Sequence, residues 1–180
     1  MPEATLFFAL SVPDPVRALA GRLQDEARRA FGPARYPELE GLHITLAFLG
    51  RTDPGRAADL LALAARAAGP GFALQTAGTG GFPRPGRARI LWLGFGSQPA
   101  LGSLAERLRA ALKAGGAAFD DKPFALHLTL ARFREPVDLG RAAFTAQAPL
   151  AFEVRGLELF QSVPGPRGNS YRPLGGVPFT

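Results

Sequence analysis

The sequence predicts one domain of α+β or α/β class made of two similar lobes, and three observations carry that reading. The first is size and composition: 180 residues, 47% hydrophobic, with a formal charge of +6, enough to enclose a core without disulfides or a structural metal. The second is a repeat. Leu42-His43-Ile44-Thr45-Leu46-Ala47 returns 84 residues later as Leu126-His127-Leu128-Thr129-Leu130-Ala131, and the two copies contain both histidines of the chain. The third is that about the same offset recurs in the hydrophobic periodicity on either side, where strand patterns alternate with helix patterns.

Taken in order, residues 4–12 (ATLFFALSV) read as a strand closed by Pro13, and residues 88–96 (ARILWLGFG) as its counterpart. A helix follows each. Val16, Leu19, Leu23, Ala27 and Ala30 keep helical spacing in the first, and Leu101, Leu104, Ala105, Leu108 and Leu112 in the second, with Gly115-Gly116 as a stop. The histidine strands come next. A helix is expected over 54–68, with Asp53 as N-cap and Gly69 past its end, and a shorter one over 138–147. Strands are expected near 73–80 and over 150–161, with an extra one over 169–177. The stretch GGFPRPGR at 80–87 joins the halves, placing the lobes at about 1–83 and 84–180.

Period-2 alternation puts Leu42, Ile44, Leu46 and Phe48 on one face of the first histidine strand and His43, Thr45 and Ala47 on the other. Leu126, Leu128 and Leu130 repeat the apolar face, with His127 and Thr129 opposite. If the lobes pack about a pseudo-twofold axis, two His and two Thr converge on one cleft. Imidazole titrates near neutrality, so one ring can be neutral while the other is protonated, giving a base and an acid. Displacement at phosphorus needs the two on opposite sides, and paired strands supply that. Each Thr hydroxyl can donate to an equatorial phosphate oxygen. Arg132, which follows the second motif, can pair with the same phosphate, although strict alternation puts it on the Leu130 face unless the strand ends or bulges there. Arg51 reads as a solvated loop charge.

Other chemistries fit poorly. Zero Cys excludes thiol nucleophiles, Cys-zinc sites and disulfides. Ser103 lies in a helix pattern without the glycines of a nucleophile elbow, and neither Lys follows a Walker string. A zinc site built on two His needs a third ligand, and Asp120, Asp121 and Glu40 are near only in sequence. The basic residues are 19 Arg and two Lys, a balance suited to phosphate or nucleic acid partners. The opening segment lacks a basic n-region and a long apolar run, so neither signal peptide nor membrane anchor is expected and a cytoplasmic location is. A monomer is expected.

The pair LHITLAFLG and LHLTLAR resembles the two signature motifs of the two-histidine phosphoesterase superfamily, and within it the RNA 2′,3′-cyclic phosphodiesterases, historically called 2′-5′ RNA ligases. The opening LFFALSVP, the segment GGFPRPGRARILWLG and the late LELFQSVPGPRGNSYRPLGG are similar to the same subfamily. The resemblance implies an α+β, bilobal duplicated fold: two antiparallel-type sheets flanked by helices around a central cleft. It also implies metal-independent, cofactor-free hydrolysis of a terminal 2′,3′-cyclic phosphate to a 2′-phosphate, with reversible 2′-5′ joining. It places the catalytic histidines on His43 and His127, the phosphate-binding threonines on Thr45 and Thr129, and the motif-end arginine on Arg132. By that similarity His43 protonates the leaving O3′ and His127 activates water. The implied partner is RNA bearing a 2′,3′-cyclic phosphate end or a 2′-5′ linkage. Among Phe7, Phe8, Phe82, Trp92 and Tyr171, the polar setting of Tyr171 makes it the candidate for stacking on a base. Two other readings stay open: a phosphodiesterase of small cyclic nucleotides or 2′-5′ oligonucleotides, and a non-catalytic module for single-stranded RNA.

Overall fold

The alternating apolar runs form strands and the runs of helical spacing form helices, in the order the sequence predicts. The computed structural model describes residues 3–145, 148–166 and 168–180. Its elements are β1 (Ala4–Ser11), α1 (Asp14–Phe31), β2 (His43–Thr52), α2 (Ala57–Ala65), β3 (Phe72–Phe82), β4 (Ala88–Phe95), α3 (Pro99–Ala114), β5 (Leu128–Val137), β6 (Ala151–Val154), β7 (Gly156–Gly165) and β8 (Gly168–Pro178). The strands build two four-stranded antiparallel sheets, β2-β1-β7-β8 and β5-β4-β3-β6. With three helices the fold is α+β. Among the described residues no helix is long and apolar enough to cross a membrane.

The sheets do not divide the chain near residue 83. The connection at 83–87 closes a local hairpin, so β3 pairs with β4, while β7 returns to pair with β1. Each sheet therefore draws strands from both halves of the sequence. The helices cross over as well: α1 packs on β5 and α3 on β2, so each braces the histidine strand of the sheet to which its preceding strand does not belong. One continuous core, from Leu6 and Phe8 through Leu91, Leu104 and Leu130 to Leu159, runs beneath both sheets.

Two expected elements differ. The helix over 138–147 is a single 3-10 turn, Leu139–Arg141, in which Asp138 Oδ1 accepts from Gly140 N at 3.0 Å. The matching Asp53 accepts from Gly55 N at 2.9 Å and its chain does continue into α2. After Asp53 come Leu60, Leu61, Leu63 and Ala64 to bury; after Asp138 only Leu139 and Phe144 are large and apolar before Pro149. Ala146 and Gln147, the end of the expected helix, lie outside the described residues. The strand expected over 150–161 is two strands in different sheets, β6 and β7, divided at Arg155.

The alternation in the histidine strands also breaks, and this positions the site. In β2, Ala9 faces Thr45 and Phe8 faces Ala47, leaving Leu46 without a partner; Leu49 is skipped in the same way. In β5, Trp92 faces Thr129 and Leu91 faces Ala131, leaving Leu130 out. Adjacent residues Leu46 and Ala47, and Leu130 and Ala131, are therefore buried together, and the next residue turns to the opposite face. Phe48, expected in the apolar layer, is 44% exposed.

Leu46→Ala should cost about 2–5 kcal/mol of stability, the usual range for emptying a buried leucine site. Phe48→Ala should stay within about 0.5 kcal/mol, as for an exposed position. Urea unfolding midpoints of the two variants test the bulged register directly.

Candidate active site

Leu42, Ile44 and Leu46 anchor β2 in the core, so His43 and Thr45 project from its other face, half-buried. Leu128 and Leu130 do the same for His127 and Thr129. Both imidazoles are held alike. Nδ1 of His43 lies 2.7 Å from the Gly41 carbonyl, and Nδ1 of His127 lies 2.7 Å from the Ala125 carbonyl. A carbonyl only accepts, so each Nδ1 carries a proton and each Nε2 is left for chemistry.

His43 is walled by aromatic rings. Phe7 lies 4.7 Å away, Phe160 6.2 Å away, and Tyr171 stands edge-on at 4.8 Å. A Cβ on Gly41 would fall 3.0 Å from the Tyr171 ring, so the residue that anchors His43 is also the one that lets Tyr171 close in. His127 has a single described ring contact, Phe82, edge-on at 5.0 Å.

A cavity of about 790 Å³ opens along this face, and His43, Thr45, Phe48, Arg132 and Tyr171 are among its lining residues. His127 and Thr129 are not in its wall. Thr129 stands on β5 and His127 immediately precedes that strand; β5 packs directly against β2, and the charge of His127 acts on His43. Arg51, read as a loop charge, lies in β2, lines the cavity and pairs with Glu3 at 3.2 Å.

Arg132 reaches the cavity because β5 bulges at Leu130. Its backbone makes a two-bond bridge with Arg35, 3.0 Å from Arg35 N to Arg132 O and 2.9 Å from Arg132 N to Arg35 O. The bulged strand has a second brace. Gln24, 2% exposed on the buried side of α1, donates its amide to the Leu130 carbonyl at 3.1 Å and to the Pro37 carbonyl at 2.9 Å. Sequence reasoning passed over both Gln24 and Arg35. The only signal for Gln24 was a polar residue one position after Leu23 in the apolar stripe of α1; Arg35 left none.

Both histidines hold their protons less tightly than the ordinary imidazole value of 6.5. For His43 burial is the main cause, opposed by the bond to Gly41 and reinforced by the charges of Arg132 and His127. For His127 burial again leads, opposed by Ala125 and reinforced by Arg132. One guanidinium thus acts on both rings. Asp120 is engaged by Lys122 at 2.8 Å, and among the described residues no group of three or more His, Cys, Asp or Glu is arranged to hold a metal ion.

The family model described as the 2′-5′ RNA ligase superfamily matches residues 12–165. The chain belongs to the 2′-5′ RNA ligase superfamily. Within that superfamily it is 32% identical over 173 residues to an Archaeoglobus fulgidus protein named RNA 2′,3′-cyclic phosphodiesterase, covering 94% of this chain and 97% of that one. A Thermus thermophilus protein of the same name is 34% identical over 178 residues, covering 94% and 87%. Solved structures agree in fold: Escherichia coli LigT complexed with 3′-AMP aligns with a TM-score of 0.77 at 28% identity, covering 99% of each chain. A solved structure from Thermus thermophilus aligns at 0.78 and 32% identity, covering 97% of each.

In the free protein, the imidazole signals of His43 and His127 should both titrate below 6.5 when followed by NMR. Arg132→Gln removes the shared positive charge and should raise both values together. A rise at one ring alone would show that the guanidinium does not face both.

Proposed function

We propose that this superfamily member hydrolyses the terminal 2′,3′-cyclic phosphate of RNA to a 2′-phosphate, with His43 and His127 as acid and base and no metal in the step. The observation that carries the reading is the matched anchoring of the two imidazoles, each with Nδ1 tied to a carbonyl two residues back and both in the field of Arg132. Such a pair serves chemistry that moves one proton on and one off. Phosphate binding alone needs charge, which arginine supplies at any pH.

In the proposed step, Nε2 of His127 takes a proton from water as its oxygen attacks phosphorus. The bond from phosphorus to O3′ breaks in line, and Nε2 of His43 gives its proton to O3′, leaving the phosphate on O2′. Thr45, Thr129 and Arg132 bind the non-bridging oxygens as charge builds on them. With a 5′-hydroxyl in place of water the same proton moves make a 2′-5′ linkage, and the reverse reaction cleaves one. Tyr171, braced against His43, borders the cavity where the terminal base would stack.

Incubation with an RNA ending in 2′,3′-cyclic phosphate, followed by identification of the product end, tests the reading. A 2′-phosphate is expected, formed equally in excess EDTA. His43→Ala and His127→Ala should each slow turnover by about 10²–10⁴, the usual range for losing an acid or base, while Thr45→Val and Thr129→Val do less. Full activity in either histidine variant would overturn the mechanism.

A further inference from the structure

The cavity beside His43 accounts for one side of the phosphate, and the face of β4 beside His127 has a construction of its own. Trp92, the sole tryptophan of the chain, stands between Gly80 on β3 and Thr129 on β5 in the cross-strand register. Its neighbours Leu91 and Leu93 are 0% and 1% exposed and point into the core. The indole therefore projects from the opposite face, the one that carries His127 and Thr129. Phe82, on the same face of β3 as Gly80, lies 5.5 Å from the indole and 5.0 Å from His127.

The indole lies along the sheet, over positions where side chains are missing. A Cβ on Gly80 would fall 2.2 Å from its Cη2 and Cζ2 atoms, and one on Gly94 2.9 Å from Cζ3. Any side chain at either glycine would lift the ring away from the sheet. The indole N–H has no acceptor among the described residues, although an enclosed tryptophan usually finds one, so the ring is placed by shape rather than by its polar edge. A half-buried ring laid flat in this way suits base stacking, which needs only a π-face. The first sheet has no equivalent at this position: the residue opposite Thr45 is Ala9.

This inference rests on the proposed function, which puts the attacking oxygen beside His127. When that oxygen is a 5′-hydroxyl, it loses its proton to His127 and bonds to phosphorus, while O3′ leaves with the proton of His43. The nucleoside that supplies the 5′-hydroxyl then sits next to Thr129 and its cross-strand neighbour Trp92. We propose that Trp92 is the stacking platform for this second nucleoside, so that the cleft takes a 2′-5′-linked dinucleotide with one nucleoside on each side of the phosphate.

Because Trp92 is the sole tryptophan, its fluorescence reports on the platform directly. The His43→Ala variant, impaired in turnover, is titrated with 2′-5′-linked adenylyl-adenosine and with adenosine 2′-monophosphate, and calorimetry measures binding of both. The dinucleotide should change the emission; the monophosphate should bind without changing it. Adding Trp92→Ala should weaken the dinucleotide about 5- to 100-fold, Trp92→Phe should retain most of the affinity, and neither should alter monophosphate binding. Equal emission changes with the two ligands, or undiminished dinucleotide affinity after Trp92→Ala, would overturn the platform. The emission arm keeps Trp92 in place, so it does not depend on how well the Trp92 variants fold. If the unsubstituted chain hydrolyses a cyclic phosphate and the monophosphate binds but Trp92 is silent, only the platform fails. If there is no hydrolysis and neither ligand binds, the proposed function fails with it.

Discussion

The site depends on one irregularity in β5, the extra residue at Leu130. A regular strand shows every second residue to the same face, and Arg132 is an odd number of residues from both His127 and Thr129. Without the bulge its guanidinium would point among Leu128 and Leu130, where an unpaired charge costs several kcal/mol. The extra residue frees the Leu130 carbonyl from the β4 register, and Gln24 takes it up from α1. The backbone bridge from Arg35 holds the strand just beyond. Histidine, threonine and arginine thereby share a face while every leucine between them stays in the core.

The duplication supplies two matched imidazole positions, and departures from it make their surroundings differ. Both motifs bulge, both tie Nδ1 to a carbonyl two residues back, and both keep the threonine two residues on. The residue that each bulge turns outward differs: Phe48 in one strand and Arg132 in the other. One cation therefore acts on two imidazoles. The flanking rings differ too, with Phe7, Phe160 and Tyr171 around His43 but Phe82 alone among described rings beside His127. The strand exchange, in which β7 returns to β1, brings Phe160 and Tyr171 of the late sequence to a histidine of the early sequence.

Much of this is legible in the sequence because it is local. The His-x-Thr repeat, the strands around it and the leucine stripe of α3 depend on spacing alone, and they form at the expected places. What is not legible depends on partners. The bulges need a neighbouring strand to be defined, so strict alternation puts Phe48 on the wrong face and leaves Arg132 between two faces. The 138–147 segment begins with an Asp-x-Gly turn like that at Asp53, but has too few large apolar residues to bury a helix. The exchange of β3 and β7 between sheets leaves no mark in the periodicity. Gln24 and Trp92 take their meaning from what lies across from them, two freed carbonyls and two glycines.

The proposed mechanism needs two imidazoles that differ in protonation, and their environment lowers the proton affinity of both. The productive form carries one proton on the pair, so it disappears when both rings are protonated and again when neither is. The pH dependence of kcat/KM, which reports the free enzyme, tests this most directly with a 2′,3′-cyclic phosphate substrate. The profile should be a bell with both macroscopic limbs below 6.5, falling on the alkaline side as the last imidazole proton is lost. A profile that climbs to a plateau at about pH 9 would contradict it, because no imidazolium would remain to protonate the leaving oxygen.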